Sequence, residues 1–209
     1  MSNSTMSNFH HDLNQEEILA AFLDKHYTQS IGITRRSNSI EEQFAGIDFY
    51  FKVSKEVEYR CDEKAQLSYL NKDLPTFALE LDYLKDGKIN TGWLFDAKKL
   101  TDIYAFVFSI KTENAASHLD SVSQLTSCEV VFVNRIRLLN ELSKYELTDS
   151  ICREKSYEMR EDPSILKHYH YSGFNFQLSA HLAEQPINLV VRKDFLVSIG
   201  KRYLFEGSV

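Results

Sequence analysis

The chain has 209 residues, 43% of them hydrophobic and 26% charged, which is enough length and apolar content for one buried core and excludes a disordered or fibrous class. A formal net charge of -6 excludes a generally basic, nonspecific nucleic-acid coat, although an enzyme can still gather phosphate contacts locally. No apolar run approaches the roughly 18 to 20 residues of a membrane span and the start is polar, so a cytoplasmic protein with no membrane partner is expected.

Residues 1–12 are rich in Ser and Asn and read as a disordered tail, leaving 13–209 as one domain. His10-His11 stands there without a third ligand nearby. A helix is predicted from Asn14, which suits an N-cap, with Glu16-Glu17 favourable in the first turn and Ile18, Ala21, Phe22 and His26 as its apolar stripe. Ser39-Ile40-Glu41-Glu42 reads as a capping box opening a second short helix. Cys61, Cys128 and Cys152 are odd in number and widely spaced, so they read as buried thiols rather than as a disulfide or zinc framework.

The informative stretch follows. Ile47, Phe49, Phe51 and Val53 alternate with Asp48, Tyr50 and Lys52, the period of a strand with one buried face. Val57, Tyr59 and Cys61 resume the apolar set, with Glu58, Arg60, Asp62 and Lys64 on the other face. A hairpin turning tightly at Lys55 places Val53 opposite Val57 and Asp48 opposite Asp62. Cross-strand Cβ atoms lie roughly 4.5 to 5.5 Å apart, and facing like charges destabilise a sheet. Lys64, two residues along, is about 6.5 to 7 Å of strand from Asp62, so it cannot neutralise both acids alone. A hard divalent cation with oxygen ligands suits the gap, and Mg²⁺ is the usual choice beside carboxylates and a phosphate-bearing substrate.

Asp48, thirteen residues, then Asp62-Glu63-Lys64 closing an apolar strand resembles the signature of the PD-(D/E)xK nuclease superfamily, with its restriction-endonuclease-like fold. The resemblance implies an α/β fold with a mixed central β-sheet flanked by helices and a core within 40–135. It makes Asp48 and Asp62 ligands of Mg²⁺ or Mn²⁺, adds the Glu63 carbonyl as a third ligand, and assigns Lys64 to the attacking water. Gly46-Ile47 stands where a proline often precedes the first aspartate. Glu17 or Glu42 would be an extra carboxylate from the first helices, against the simpler reading of a solvated surface. The implied activity is metal-dependent phosphodiester hydrolysis, with DNA as partner and homodimerisation left open. The alternative is an inactive nuclease-fold module that binds nucleic acid or a protein.

Beyond the motif, Gln66 either orients water or bonds loop backbone. Pro75 opens a strand over 76–84 in which Phe77, Leu79, Leu81 and Tyr83 alternate with Ala78, Glu80 and Asp82, and Glu80 is the candidate third acid. Asp86-Gly87 is a hairpin signal leading to a strand over 91–95 that returns Trp93 opposite Glu80, and the indole is expected to pack over the sheet. Residues 103–110 are almost continuously apolar, as in a central strand covered on both faces. Asn134 caps a helix to about 145 with Ile136, Leu139 and Leu142 on one side, and 129–133 is a further strand. Residues 148–172 are polar and mixed, with His168-Tyr169-His170-Tyr171 offering rings but no third metal ligand. Strands are expected over 174–182 and 187–191, and 195–205 reads either way. Arg35-Arg36, Lys98-Lys99, Arg135, Arg137 and Arg192-Lys193 are candidate phosphate contacts, each with a solvated surface as the simpler alternative. No phosphate loop, nucleophile elbow or HExxH is present.

Overall fold

The period-2 runs of the sequence become strands stacked in two layers. The computed structural model describes residues 3–52, 54–162, 169–171 and 174–207. It begins with α1 (Asn3–Ser30), β1 (Ile33–Arg36), α2 (Ile40–Phe44), β2 (Phe49–Lys52), β3 (Glu58–Ala65), β4 (Thr76–Lys85), β5 (Lys88–Thr91) and β6 (Ile103–Thr112). It continues with β7 (Leu125–Asn134), α3 (Arg135–Ser143), α4 (Asp149–Glu161), β8 (Tyr169–Tyr171), β9 (Phe174–Leu178), β10 (Ile187–Arg192), α5 (Lys193–Ile199) and β11 (Lys201–Glu206).

The first sheet runs β1-β2-β3-β6-β7-β11 and is mixed, because β3 and β6 are parallel while its other neighbours are antiparallel. The second sheet, β5-β4-β10-β9-β8, is antiparallel throughout. Fold class is therefore mixed α/β, but one face of the central sheet is covered by this second sheet rather than by helices. The run at 76–84 is half-buried as its alternation requires; alternation identifies a buried face without identifying what buries it. Tyr104, Phe106, Phe108, Val131 and Val133 cluster between the layers with Phe77, Leu79, Leu189 and Val191. Phe77 meets Phe106 and Phe108 with ring centroids 4.9 and 5.2 Å apart.

The opposite face of the first sheet carries Phe49, Phe51, Cys61, Ala105, Val107 and Phe132, covered by Leu19, Phe22, Leu23 and Tyr27 of α1. This is the docking expected for the N-terminal helix, with the Tyr27 and Phe49 rings stacked at 5.0 Å. Each such side chain withdrawn from water contributes roughly 1.5 to 3 kcal/mol. The helix starts at Asn3, so Asn14 lies inside it rather than capping it, and residues 3–12 are helical instead of a tail. Extending a helix from a docked segment adds a hydrogen bond per residue fixed, which outweighs the modest propensities of Ser and Asn. The side chains of His10 and His11, like Val53 and His168, lie outside the described residues.

Several local signals hold. Ser39 caps α2 through the Glu42 amide and Asn134 caps α3 through the Arg137 amide. Asp86 and Gly87 both take positive φ in the two-residue loop between Lys85 and Lys88, the geometry this dipeptide favours. Cys61, Cys128 and Cys152 are buried free thiols. Others shift: α3 buries Leu138 and Leu142 while Ile136 is exposed, the strand before Trp93 ends at Thr91, and 149–161 forms a helix within a stretch read as mixed. Residues 193–206 divide into α5 and β11. Among the described residues no helix is long and apolar enough to cross a membrane.

Candidate active site

The β2–β3 hairpin pairs Phe49 with Cys61 and Tyr50 with Arg60, the register that a tight turn at Lys55 predicts. Asp48, immediately before β2, leaves that register by one residue: its amide donates to the Cys61 carbonyl at 2.7 Å, and the pairing ends at Phe49 and Cys61 without setting Asp48 directly opposite Asp62. Its carboxylate Oδ2 accepts the Glu63 amide at 2.6 Å, which anchors it beside the end of β3. Asp62 is 2% exposed, and its Oδ1 meets Lys64 Nζ at 2.7 Å. Its Oδ2 is buried without a hydrogen-bond partner.

Gly46 explains the local approach. With φ at +72° it takes a conformation that glycine tolerates, and a Cβ there would stand 2.6 Å from Thr101 Oγ1 and 3.4 Å from Asp62 Oδ2. Thr101 Oγ1 in turn donates to the Gly46 carbonyl at 2.7 Å. The chain entering β2 is thus pressed against the second acid. A glycine two residues before Asp48 was the available signal for this contact.

Charge at the site is unbalanced. Burial, with the nearby Asp48 carboxylate adding to it, pushes the Asp62 carboxyl up to about 6 despite the opposing pull of Lys64. Burial works against the Lys64 ammonium, but Asp62 and Asp48 outweigh it and hold its pKa above the ordinary value. One lysine therefore serves two carboxylates. A third approaches from the second sheet: Glu80 accepts the Trp93 amide, and burial raises its pKa while the charge of Lys64 lowers it. Trp93 packs on Tyr104 at 5.0 Å, and Lys64 Nζ sits 5.4 Å from the indole, so the ring walls the lysine instead of standing free.

The remaining candidates separate. Gln66 donates from Nε2 to the Thr76 carbonyl at 2.8 Å, the loop-bonding alternative, although its Oε1 is buried and unpartnered. The Glu63 side chain turns to the α1 face, where it accepts from Tyr27 Oη at 3.0 Å and lies 3.5 Å from Arg36. Burial lifts its carboxyl to about 7 against the pull of Arg36. Arg36 also reaches Asp24 at 2.7 Å, so this arginine ties α1 to the motif strand. Sequence reading had offered it only as a phosphate contact. Glu42 pairs with Arg35 at 2.6 Å and accepts from Tyr50 Oη at 2.8 Å; the Arg35 hydrogen bond holds its carboxyl down at about 2. Lys193 meets Glu129 at 3.1 Å, and Arg135 donates to the Asp96 carbonyl at 2.9 Å and to Tyr104 Oη at 3.2 Å. Most of the basic candidates are thus engaged inside the molecule.

A cleft of about 440 Å³ opens beside the motif, with Glu16 and Glu17 of α1, Arg36, Asp48, Glu63 and Lys64 in its lining. Glu17, unlike Glu42, is placed to add a carboxylate there. Among the described residues no three His, Cys, Asp or Glu side chains form a metal cage. The Asp48–Asp62 pair nevertheless fits Mg²⁺ or Mn²⁺ by donor chemistry: both are hard oxygen ligands, and the buried Asp62 Oδ2 has lost its water without gaining a partner. No family model, curated protein or solved structure matches this chain.

Proposed function

We propose that the chain is a metal-dependent nuclease of the PD-(D/E)xK type that hydrolyses phosphodiester bonds, with DNA as substrate. The observation that carries this reading is the unpartnered Asp62 Oδ2 inside a site where two carboxylates share one lysine. A buried oxygen of this kind costs about 1 to 3 kcal/mol, more when charged, and beside a second carboxylate it leaves room for a cation to satisfy it. Asp48, Asp62 and the Glu63 carbonyl would hold Mg²⁺ or Mn²⁺, which when bound supplies Lewis-acid polarisation and a more acidic water.

The chain's own groups do the rest. The Glu63 amide fixes the Asp48 carboxylate, so the ligand pair is set before substrate arrives. Lys64, held by Asp62 and walled by Trp93, positions the attacking water and stabilises the charge that grows on the phosphoryl oxygens. Glu80 steadies that water from the second sheet. Cleavage of single-stranded, duplex and branched DNA, with and without Mg²⁺ and with Lys64→Ala as control, tests the proposal. Cutting that survives without the ion or in the variant would refute it.

A second reading is favoured by the engagement of Arg35, Arg36 and Lys193 with the protein's own acids, which leaves few cations for a phosphate backbone. On that reading the chain is an inactive nuclease-fold module that holds nucleic acid or a protein partner regardless of metal. Metal-independent binding without cleavage identifies it.

A further inference from the structure

One exposed aromatic ring stands at the rim of the candidate active site. Phe44, the last residue of α2, is 77% exposed, and Ile40, one turn earlier on the same helix face, is 67% exposed. Gln43 beside it lines the cleft that holds Asp48 and Lys64. Two residues on, the Cβ that Gly46 lacks would stand 3.4 Å from Asp62 Oδ2. With consecutive Cα atoms about 3.8 Å apart, the Phe44 backbone lies within about 12 Å of the Asp62 carboxylate.

The fold gains no packing from this ring, since α2 buries none of its residues. Among the described residues no other ring or cation stacks on it. Its main chain, by contrast, is tied down: the Phe44 carbonyl accepts from Lys99 Nζ at 2.8 Å, and the Ala45 carbonyl accepts from the Leu100 amide at 2.7 Å. Leu100 is itself 49% exposed. A free ring on a fixed backbone is preorganised for contact with something outside the chain.

Lys99 supplies charge at the same place. Among the described residues neither it nor Lys98 forms an ion pair, whereas Arg35, Arg36 and Lys193 are each engaged by an acid. An uncompensated cation beside a bare ring matches a nucleotide strand, which pairs an anionic backbone with flat π-faces. A second copy of the chain is the poorer occupant, because three side chains present well under the roughly 800 Å² per partner of a stable interface.

We propose that Phe44 stacks on an unpaired base of the DNA strand at the cleft, with Lys99 on the adjoining backbone, so that the substrate is single-stranded or locally unpaired DNA. This role rests on the proposed DNA substrate and not on cleavage. Inside a duplex a base has no free face, and unstacking it costs on the order of a few kcal/mol, whereas a single strand presents its bases open.

Fluorescence anisotropy of the full chain with a labelled single-stranded oligonucleotide and with the matching duplex, in metal-free buffer so that nothing is cut, tests it. The single strand should bind more tightly. Phe44→Ala, at an exposed position outside both cores, should weaken single-strand binding roughly fivefold to a hundredfold, as for loss of one stacked base, and Phe44→Trp should retain it. Lys99→Gln should reduce the slope of log affinity against log salt by about 0.7, the share of one single-strand phosphate. No binding of either DNA, a preference for duplex, wild-type binding by Phe44→Ala, or a Phe44→Ala effect confined to oligomeric state in light scattering would overturn the assignment. Single-turnover cleavage with Mg²⁺ keeps the two readings apart. Intact cleavage alongside normal binding by Phe44→Ala sinks the stacking role alone, while Phe44-dependent binding by a chain that never cuts supports it and sinks the nuclease.

Discussion

Asp62 and Glu129 are both buried acids of the first sheet beside a lysine, yet their surroundings differ in sign. Glu129, 4% exposed, faces Lys193 at 3.1 Å and Arg202 at 2.9 Å, two cations for one carboxylate, although its Oε1, like Asp62 Oδ2, has no hydrogen-bond partner. Asp62, 2% exposed, shares Lys64 with Asp48. The first arrangement resembles a structural tie between β7, α5 and β11. The second lacks positive charge, as expected of a site completed by something outside the chain. Burial of an acid is therefore not the diagnostic feature; the balance of partners around it is.

The largest expected effect sharpens that contrast at the lysines. Lys64→Ala should lower Mg²⁺-dependent cleavage on the order of a hundredfold to a thousandfold, measured as single-turnover rates, while circular dichroism remains native. Lys64→Arg should rescue it poorly, since a planar guanidinium does not replace a compact ammonium. Gly46→Ala asks whether the close approach to Asp62 matters to the fold. Strain at positive φ and the 2.6 Å contact with Thr101 should cost about 2 kcal/mol in urea unfolding.

Glu129→Gln should destabilise by about 1 to 2 kcal/mol in the same assay, the lower part of the range for a charged network because Arg202 is half exposed and can regain water. Asp62→Asn should have the opposite sign. In metal-free buffer its amide can donate toward Asp48 and still accept from Lys64, raising stability by about 1 kcal/mol while divalent binding is lost. If Asp62→Asn destabilises as Glu129→Gln does, the distinction between the two acids collapses.

Much of the hairpin was legible because two constraints acted together. Alternation gives each residue a face, and a tight turn at Lys55 gives each a partner, so the pairing of Phe49 with Cys61 and Tyr50 with Arg60 followed from the letters, whereas the one-residue shift at Asp48 did not. Asn134 and Asp86-Gly87 were legible because caps and turns are local chemistry. The second sheet was not. Phe77 and Leu79 announce a buried face, but whether helix or sheet covers it depends on residues 174–191, more than ninety positions later. The helix over 149–161 was obscure because its buried side is Cys152, Ser156 and Met159, too sparse and too small a stripe to give a period.

The parallel junction of β3 with β6 sets a timetable for the site. A parallel pair cannot be closed by a tight turn, and the crossover between these strands carries β4 and β5 into the other layer. The acids of the hairpin can meet as soon as it forms, from neighbours close in sequence. The wall of Trp93 and Glu80 must wait, because β4 gains its inner neighbour only when β10, at Ile187–Arg192, has paired with it. Contacts so distant in sequence form slowly. A chain still being synthesised would hold its carboxylates together well before its lysine acquired the enclosure seen in the finished molecule.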